Sequence, residues 1–450
     1  MANKTLTDIV QVPVRVSCTE DNPWNPILPR KEVIAGTDIA HLGDVKPESD
    51  DLVMTLEQLD PLQNRRVIEA DKLVFHVLGC SGDAVLPLPQ DAVAAALVSQ
   101  LGLPDTAAFM YHLGDIAYKP KATAGQTDPT EMTTDLGQLF NNEFYEAYRM
   151  YEREIVSVPG NHDGKYHPAD TAKIKLEHSP MYYFLRNFCA KQRGVSPDNL
   201  NKLQRRTMTQ PYPYFLLDTP FASIIGLYTN VLNGGQLDSP AVSATGKDAV
   251  QFQWLVRTLK RLAREKHRKP ILIMLHYPPL SGAANFRRRG APDCPTTPEP
   301  RPNLGLASIL FRAFELAEIY PDAVVSAHAH LYQRIHCEVS LKKGSKTIPF
   351  WIVGNGGHAP VESLWTKCSG EPAEPVTVPF PVVIPKGTEL PDGVSAQVRQ
   401  YNDSDFGFLR ITINRKKLVG EFFAVYPLSN DDSERVPTRH DAHTVAFDFD

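Results

Sequence analysis

The chain has 450 residues, 22% of them charged and 42% hydrophobic, the proportions of an ordinary globular protein. Lys and Arg total 47 against 52 for Asp and Glu, a net charge of −5 that excludes the overall basic character of a nucleic-acid binder. No apolar run approaches the roughly 18 residues of a membrane span, and the N-terminus MANKTLTDIVQVPVR lacks the apolar stretch and cleavage site of a secretory leader.

Residues 1–70 mix short apolar runs with polar and acidic stretches and read as an N-terminal arm. From Lys72 the texture changes. LVFHVLG is a β-branched and aromatic run ending at Gly79, DAVAAALVSQLG reads as a helix closed by Gly102, and AAFMYHLGD is a second buried strand. The rhythm continues through EIVSVPGNHD, SIIGLYTN, PILIMLHYPP, AVVSAHAH and PFWIVGNGG, each a short apolar run that stops at Gly, His or polar residues. Helical patterns lie between them. In DAVQFQWLVRTLKRLAREKH, residues Val250, Trp254, Leu255, Leu259 and Leu262 share one face, and LASILFRAFELAEIY is the second long helix. FGFLRITI and LVGEFFAVY then read as an antiparallel pair closing a sheet edge. The alternation predicts an α/β fold with ligands at strand C-termini, in one domain over 71–430 followed by a tail at 431–450. Long interruptions at about 119–150, 164–210 and the Pro-rich 369–400 read as lids.

Cys18, Cys80, Cys189, Cys294, Cys337 and Cys368 are widely spaced with no C-x-x-C pair, which predicts mostly reduced thiols in a cytoplasmic protein. The strand ends carry the chemistry. In order they are Gly79-Cys80-Ser81-Gly82, Gly114-Asp115-Ile116-Ala117-Tyr118, Gly160-Asn161-His162-Asp163, His276, and His328-Ala329-His330. Carboxylate, phenol, amide oxygen and imidazoles together suit transition metals such as Zn, Mn or Fe rather than Ca or Mg. Two such ions about 3.5–4 Å apart could activate water and hold a phosphoryl group in line, the chemistry of phosphoester hydrolysis.

At these residues the chain resembles the calcineurin-like metallophosphoesterase superfamily, and in particular its purple acid phosphatase-like branch, whose blocks are GDxG, GDxxY, GNH(D/E), a lone His and GHxH. The resemblance covers roughly residues 72–425, and Tyr118, three residues after Asp115, is the mark of the branch. It implies a four-layer αββα sandwich, two mixed β-sheets flanked by helices. It also implies a dinuclear site, of two Fe, Mn or Zn ions, that hydrolyses a phosphate ester through a metal-bound hydroxide. Asp115 would bridge the two ions. Asn161, His276 and His328 would complete one site, and Tyr118, His330 and the first-block residue the other. His162 would contact the phosphate or protonate the leaving oxygen, with Asp163 orienting its imidazole or serving as a turn residue. The implied partner is a phosphorylated substrate, with no nucleic acid and no membrane.

The first block has Cys80 where the family has aspartate. Three readings stand: a thiolate ligand favouring Zn or Fe, compensation by Asp83, or an incomplete site. The last opens the alternative of a catalytically weakened phosphate sensor or scaffold, and the first that of an enzyme regulated by oxidation of Cys80. Ala327 replaces the glycine of the last block, a strain only if that backbone needs positive φ. Arg287 and Arg288, in the loop after His276, and His358, after a Gly-rich turn, are candidate substrate contacts. His112 reads as a packed neighbour of Asp115, and the second HLGD, at His41, as coincidence.

Overall fold

The computed structural model describes residues 51–82, 88–118, 136–163, 180–229, 249–282, 304–341, 344–362, 364, 393–426 and 437–447. Short strands buried on both faces form its centre: β2 (Leu73–Leu78), β3 (Phe109–His112) and β4 (Glu154–Ser157) pair in parallel. β6 (Ser223–Leu227), β7 (Ile271–Leu275), β8 (Ala323–Ser326) and β10 (Ser345–Val353) form a second parallel set. These runs are nearly continuous in apolar residues because helices and a facing sheet cover both sides. β1 (Val53–Thr55), β5 (Phe215–Asp218), β9 (Tyr332–Ser340) and β11 (Val394–Asn402) extend the second set into an eight-stranded sheet, ordered β1-β5-β6-β7-β8-β10-β9-β11. β12 (Phe406–Ile413), β13 (Lys417–Val425) and β14 (Thr438–Ala446) extend the first into a six-stranded sheet, ordered β14-β13-β12-β2-β3-β4.

The two sheets face one another across a shared core. Tyr332 of β9 stacks on Phe422 of β13 at 3.9 Å, and Arg334 of β9 pairs with Asp441 of β14 at 2.7 Å. Helices lie outside. α1 (Leu56–Leu59) and α2 (Pro61–Glu69) precede β2, and α3 (Leu88–Gln100) packs on β12 and β13. α4 (Leu136–Phe140) runs into a π turn at Asn141–Glu146, and α5 (Pro180–Phe188) follows β4. α6 (Ala249–Ala263) and α7 (Leu304–Ala317) connect the parallel strands β6, β7 and β8 and pack on each other. α6 buries Trp254, Leu255, Leu259 and Leu262, the face expected from its periodicity. The architecture is the expected sandwich of two mixed sheets with flanking helices. Among the described residues no helix is long and apolar enough to cross a membrane, and Cys80, Cys189 and Cys337 are free thiols.

The boundaries differ from the expected ones. The arm does not run to residue 70: β1 pairs in parallel with β5, Val53 opposite Leu216, so the chain joins the sheet from about residue 51. Parts of the expected lids are core. Phe144, Tyr145 and Tyr148 of the first stack with Phe184 and Phe188 of the second, or bury beside them, and β11 takes up the end of the third. The tail contributes β14, so β13 is an inner strand and not the edge.

His76, central in β2 and buried, bonds Tyr151 Oη (3.0 Å) and Gln100 Oε1 (3.3 Å). Burial, aided by the Arg410 charge, lowers its pKa from 6.5 to about 3. Below pH 6.5 the unfolded chain therefore takes a proton that the folded chain refuses, so stability is full above 6.5 and falls with pH. The loss is about 2 kcal/mol at pH 5. In urea unfolding, His76→Phe is expected to remove that much of the difference between pH 7.5 and pH 5; an unchanged difference would contradict the assignment.

Candidate metal centre

Six loops meet where the C-terminal ends of β2, β3, β4, β7, β8 and β10 converge. They bring Cys80, Asp115, Asn161, His276, His328 and His358 to one place, half from each sheet. The turns are tight. Cys80, Asp115 and His328 have φ of 54°, 54° and 65°, a left-handed backbone that costs a non-glycine residue about 1–3 kcal/mol and clusters at functional sites. A Cβ on Gly160 would lie 2.2 Å from Asp115 N, and one on Gly114 would lie 2.3 Å from Gly160 N. The glycines of GDIAY and GNHD are thus required by backbone packed against backbone.

Donor atoms crowd around Asp115. His276 Nε2 is 3.2 Å from Asp115 Oδ2, 3.0 Å from Asn161 Oδ1 and 3.2 Å from His328 Nδ1. On the other side Tyr118 Oη is 3.0 Å from Asp115 Oδ2 and 3.4 Å from His330 Nε2. Cys80 Sγ, an Asp115 oxygen and a His276 nitrogen all lie within 4.8 Å of one another, all buried. His276 Nδ1 donates to the Leu113 carbonyl at 2.8 Å, so its Nε2 lone pair is the one turned to the cluster.

These atoms fit a metal. Nitrogen and oxygen atoms able to bind a metal once their protons are lost stand at spacings close to the ~3.0–3.4 Å edges of a coordination polyhedron with bonds of about 2.1 Å. Such an arrangement needs a positive charge at its centre. In the metal-free chain a proton partly supplies it. Burial disfavours charge on both partners, yet the Asp115 carboxylate raises the His276 pKa, while His276 and His162 hold Asp115 well below the usual carboxylate range. Burial and the His276 charge keep His328 neutral, and burial with His358 lowers His330 to about 3.

Cys80 is fully buried, its N–H bonded to the Gly114 carbonyl (3.0 Å) and its sulfur accepting the His328 N–H (3.2 Å). Burial and the Asp115 charge push the thiol pKa up, so without metal it is protonated. Asp83, Arg287, Arg288 and His41 lie outside the described residues. Ala327 does not have positive φ; His328 does. The alanine methyl is accommodated because residue 79 is glycine, whose Cβ would come within 2.5 Å of it.

Asp163 does not take the expected orienting role. Its carboxylate accepts the backbone N–H groups of Asp115 (2.6 Å), Ile116 (3.1 Å) and Gly160 (2.9 Å), clamping two loops together. Burial and the Asp115 charge raise its pKa to about 7. His162 is half-buried, its ring 4.2 Å from that of Tyr118, and its backbone N–H donates to Asp115 Oδ1 at 2.7 Å. His112 bonds Ser81 Oγ (2.8 Å) and accepts the Gly114 N–H, a packed neighbour of the loops. Three residues of the site escaped the sequence reading. Glu143 Oε2 accepts the Tyr118 N–H (2.8 Å), the Tyr277 ring lies 3.9 Å from that of His328, and Glu362 accepts the His330 N–H (3.4 Å). Glu143 and Glu362 carry no motif signal, whereas Tyr277 directly follows His276.

The family model of calcineurin-like phosphoesterases matches residues 37–332, more than half of the chain. No curated protein matches the sequence. Among solved structures, GAP50, the anchor in the inner membrane complex of Plasmodium, is similar at 13% identity and TM-score 0.46, with 84% of this chain and 90% of that one covered. PhoD is similar at 11% identity and TM-score 0.47, covering 83% and 70%. The phosphopantetheinyl hydrolase PptH from Mycobacterium tuberculosis is similar at 14% identity and TM-score 0.27, covering 63% and 90%. The family match spans all five motif blocks, from Cys80 to His330, and the chain belongs to the calcineurin-like phosphoesterase family.

Proposed function

We propose that this chain is a cytoplasmic, metal-dependent phosphoesterase of the purple acid phosphatase-like kind, holding two transition-metal ions, Fe, Mn or Zn, on either side of Asp115. The convergence of buried side chains able to ligate a metal on Asp115 Oδ2 from two directions, Tyr118 on one side and His276 on the other, carries this reading. Asn161, His276 and His328 would hold one ion, and Cys80, Tyr118 and His330 the other. Bound ions would supply Lewis acidity and a water of lowered pKa. The chain does the rest. Asp115 neutralises charge from between the two donor sets, and His276 is held in one tautomer by the Leu113 carbonyl. His162, half-buried beside Tyr118, would contact phosphate and protonate the leaving oxygen through its ring N–H.

The test is metal content on protein purified without chelator, read with hydrolysis of p-nitrophenyl phosphate and bis(p-nitrophenyl) phosphate. The expected result is two metals per chain, with hydrolysis lost on chelation and restored by Zn, Mn or Fe. Hydrolysis indifferent to chelation would refute the proposal. The reading as a weakened phosphate sensor or scaffold draws support from the thiol at Cys80, where the family has a carboxylate.

A further inference from the structure

We infer that His358 is a positioning residue for Tyr118. Its ring holds the phenol oxygen at the junction of Asp115 and His330, and the Gly354-Asn355-Gly356-Gly357 turn serves to bring it there. The inference rests on Tyr118 being a metal ligand, as proposed above.

Tyr118 is fixed at its backbone by Glu143, but a side chain of two torsions still has to aim its oxygen at Asp115 Oδ2 and His330 Nε2. The His358 imidazole lies face to face on the Tyr118 ring, centroids 3.7 Å apart and planes 8° from parallel. Rings packed face to face this closely leave neither room to turn about its side-chain bonds without clashing with the other. His358 is in turn held at two points of the first-block loop. Its Nδ1–H donates to the Gly82 carbonyl at 2.9 Å, and its backbone N–H donates to the Cys80 carbonyl at 3.0 Å. The plane of the imidazole is thereby set by the loop that carries Cys80.

The glycines of the turn explain how His358 gets so close. Gly357 has φ of 148°, and a Cβ there would lie 2.7 Å from Ser81 O and 2.7 Å from Gln90 Cα. A Cβ on Gly356 would lie 2.5 Å from Gly79 O. A side chain at either position would lift the turn, and His358 with it, off the first-block loop. The sequence suggested substrate contact for His358. Buried to 7% exposure, with one face on Tyr118 and Nδ1 committed to a carbonyl, it is better placed to hold its neighbour than to meet a substrate.

The experiment uses ferric ion as the probe, because a tyrosinate bound to Fe(III) gives a visible charge-transfer band. His358→Phe keeps a flat ring and removes the donor, and His358→Asn keeps an N–H donor and removes the stack. Ferric-loaded wild type and His358→Phe are expected to show the band. Tyr118→Phe is expected to lack the tyrosinate part of it, with any thiolate absorption from Cys80 remaining, and His358→Asn to lose or shift the tyrosinate part at wild-type iron content. His358→Leu, which fills the space without a flat ring, is the second loss variant should His358→Asn fail to fold. A wild-type band in the non-aromatic variants would overturn the inference, as would an iron-loaded wild type without the band. A wild type that takes up no iron, manganese or zinc would instead sink the underlying metal reading.

Discussion

Replacing Asp115 by asparagine is expected to lower p-nitrophenyl phosphate turnover by at least about a thousandfold and to reduce bound metal, while leaving the chain folded. Asp115 Oδ1 accepts the His162 N–H, and Oδ2 faces the Tyr118 hydroxyl and His276 Nε2. An amide group turned toward His276 would donate to the very lone pair that a metal needs, while its oxygen kept the bond to His162. The variant thus keeps the bond to the His162 backbone, costs the Tyr118 hydroxyl its acceptor, loses the carboxylate that faces both donor sets, and turns a donor toward His276 Nε2. Elemental mass spectrometry beside turnover checks both halves. Full metal content with turnover within about tenfold of wild type would remove Asp115 from its proposed role.

Cys80 offers the second large effect, in two directions. If the chain holds the two proposed metals, Cys80→Ala is expected to lose one of them and about a hundredfold or more in turnover, because truncation removes a proposed ligand and the sulfur that accepts the His328 backbone N–H. Cys80→Asp is expected to retain both metals and at least wild-type turnover. An aspartate tolerates the left-handed backbone at this position more readily than cysteine does, and it restores the family's carboxylate. Metal content unchanged in Cys80→Ala would show that the thiol is no ligand. A wild type holding one metal, with turnover gained by orders of magnitude in Cys80→Asp, would decide for the weakened sensor.

Much of this could be read before folding. Each buried parallel strand is a short apolar run with an abrupt polar end, so the order of the strands and the loops that meet are visible in LVFHVLGC, FMYHLGD, IVSVPGNHD, ILIMLH and AVVSAHAH. What could not be read is held by contacts distant in sequence. β1 is three residues long and owes its place to pairing with β5. β14, TRHDAHTVA, has no apolar alternation and is tied down by β13 and by Asp441 with Arg334 and Tyr332. The site shows the same division. Asp163 belongs to a recognisable block, yet its carboxylate turns to backbone N–H groups of another loop, and Glu143 reaches Tyr118 from a π turn within a stretch that reads as an insertion. Side-chain direction at such points follows from packing between loops, which periodicity does not encode.

The donors come half from one sheet and half from the other, and this bears on when the centre can exist during the life of the chain. Cys80 and His328, joined through sulfur and N–H, are separated by 248 residues. β2, which leads to Cys80, has β3 on one side and gains its other neighbour from β12, made long after it. The chain must therefore be made through β12 before both halves of the site are braced, so a centre of the proposed kind would form after the sandwich closes and would not nucleate it.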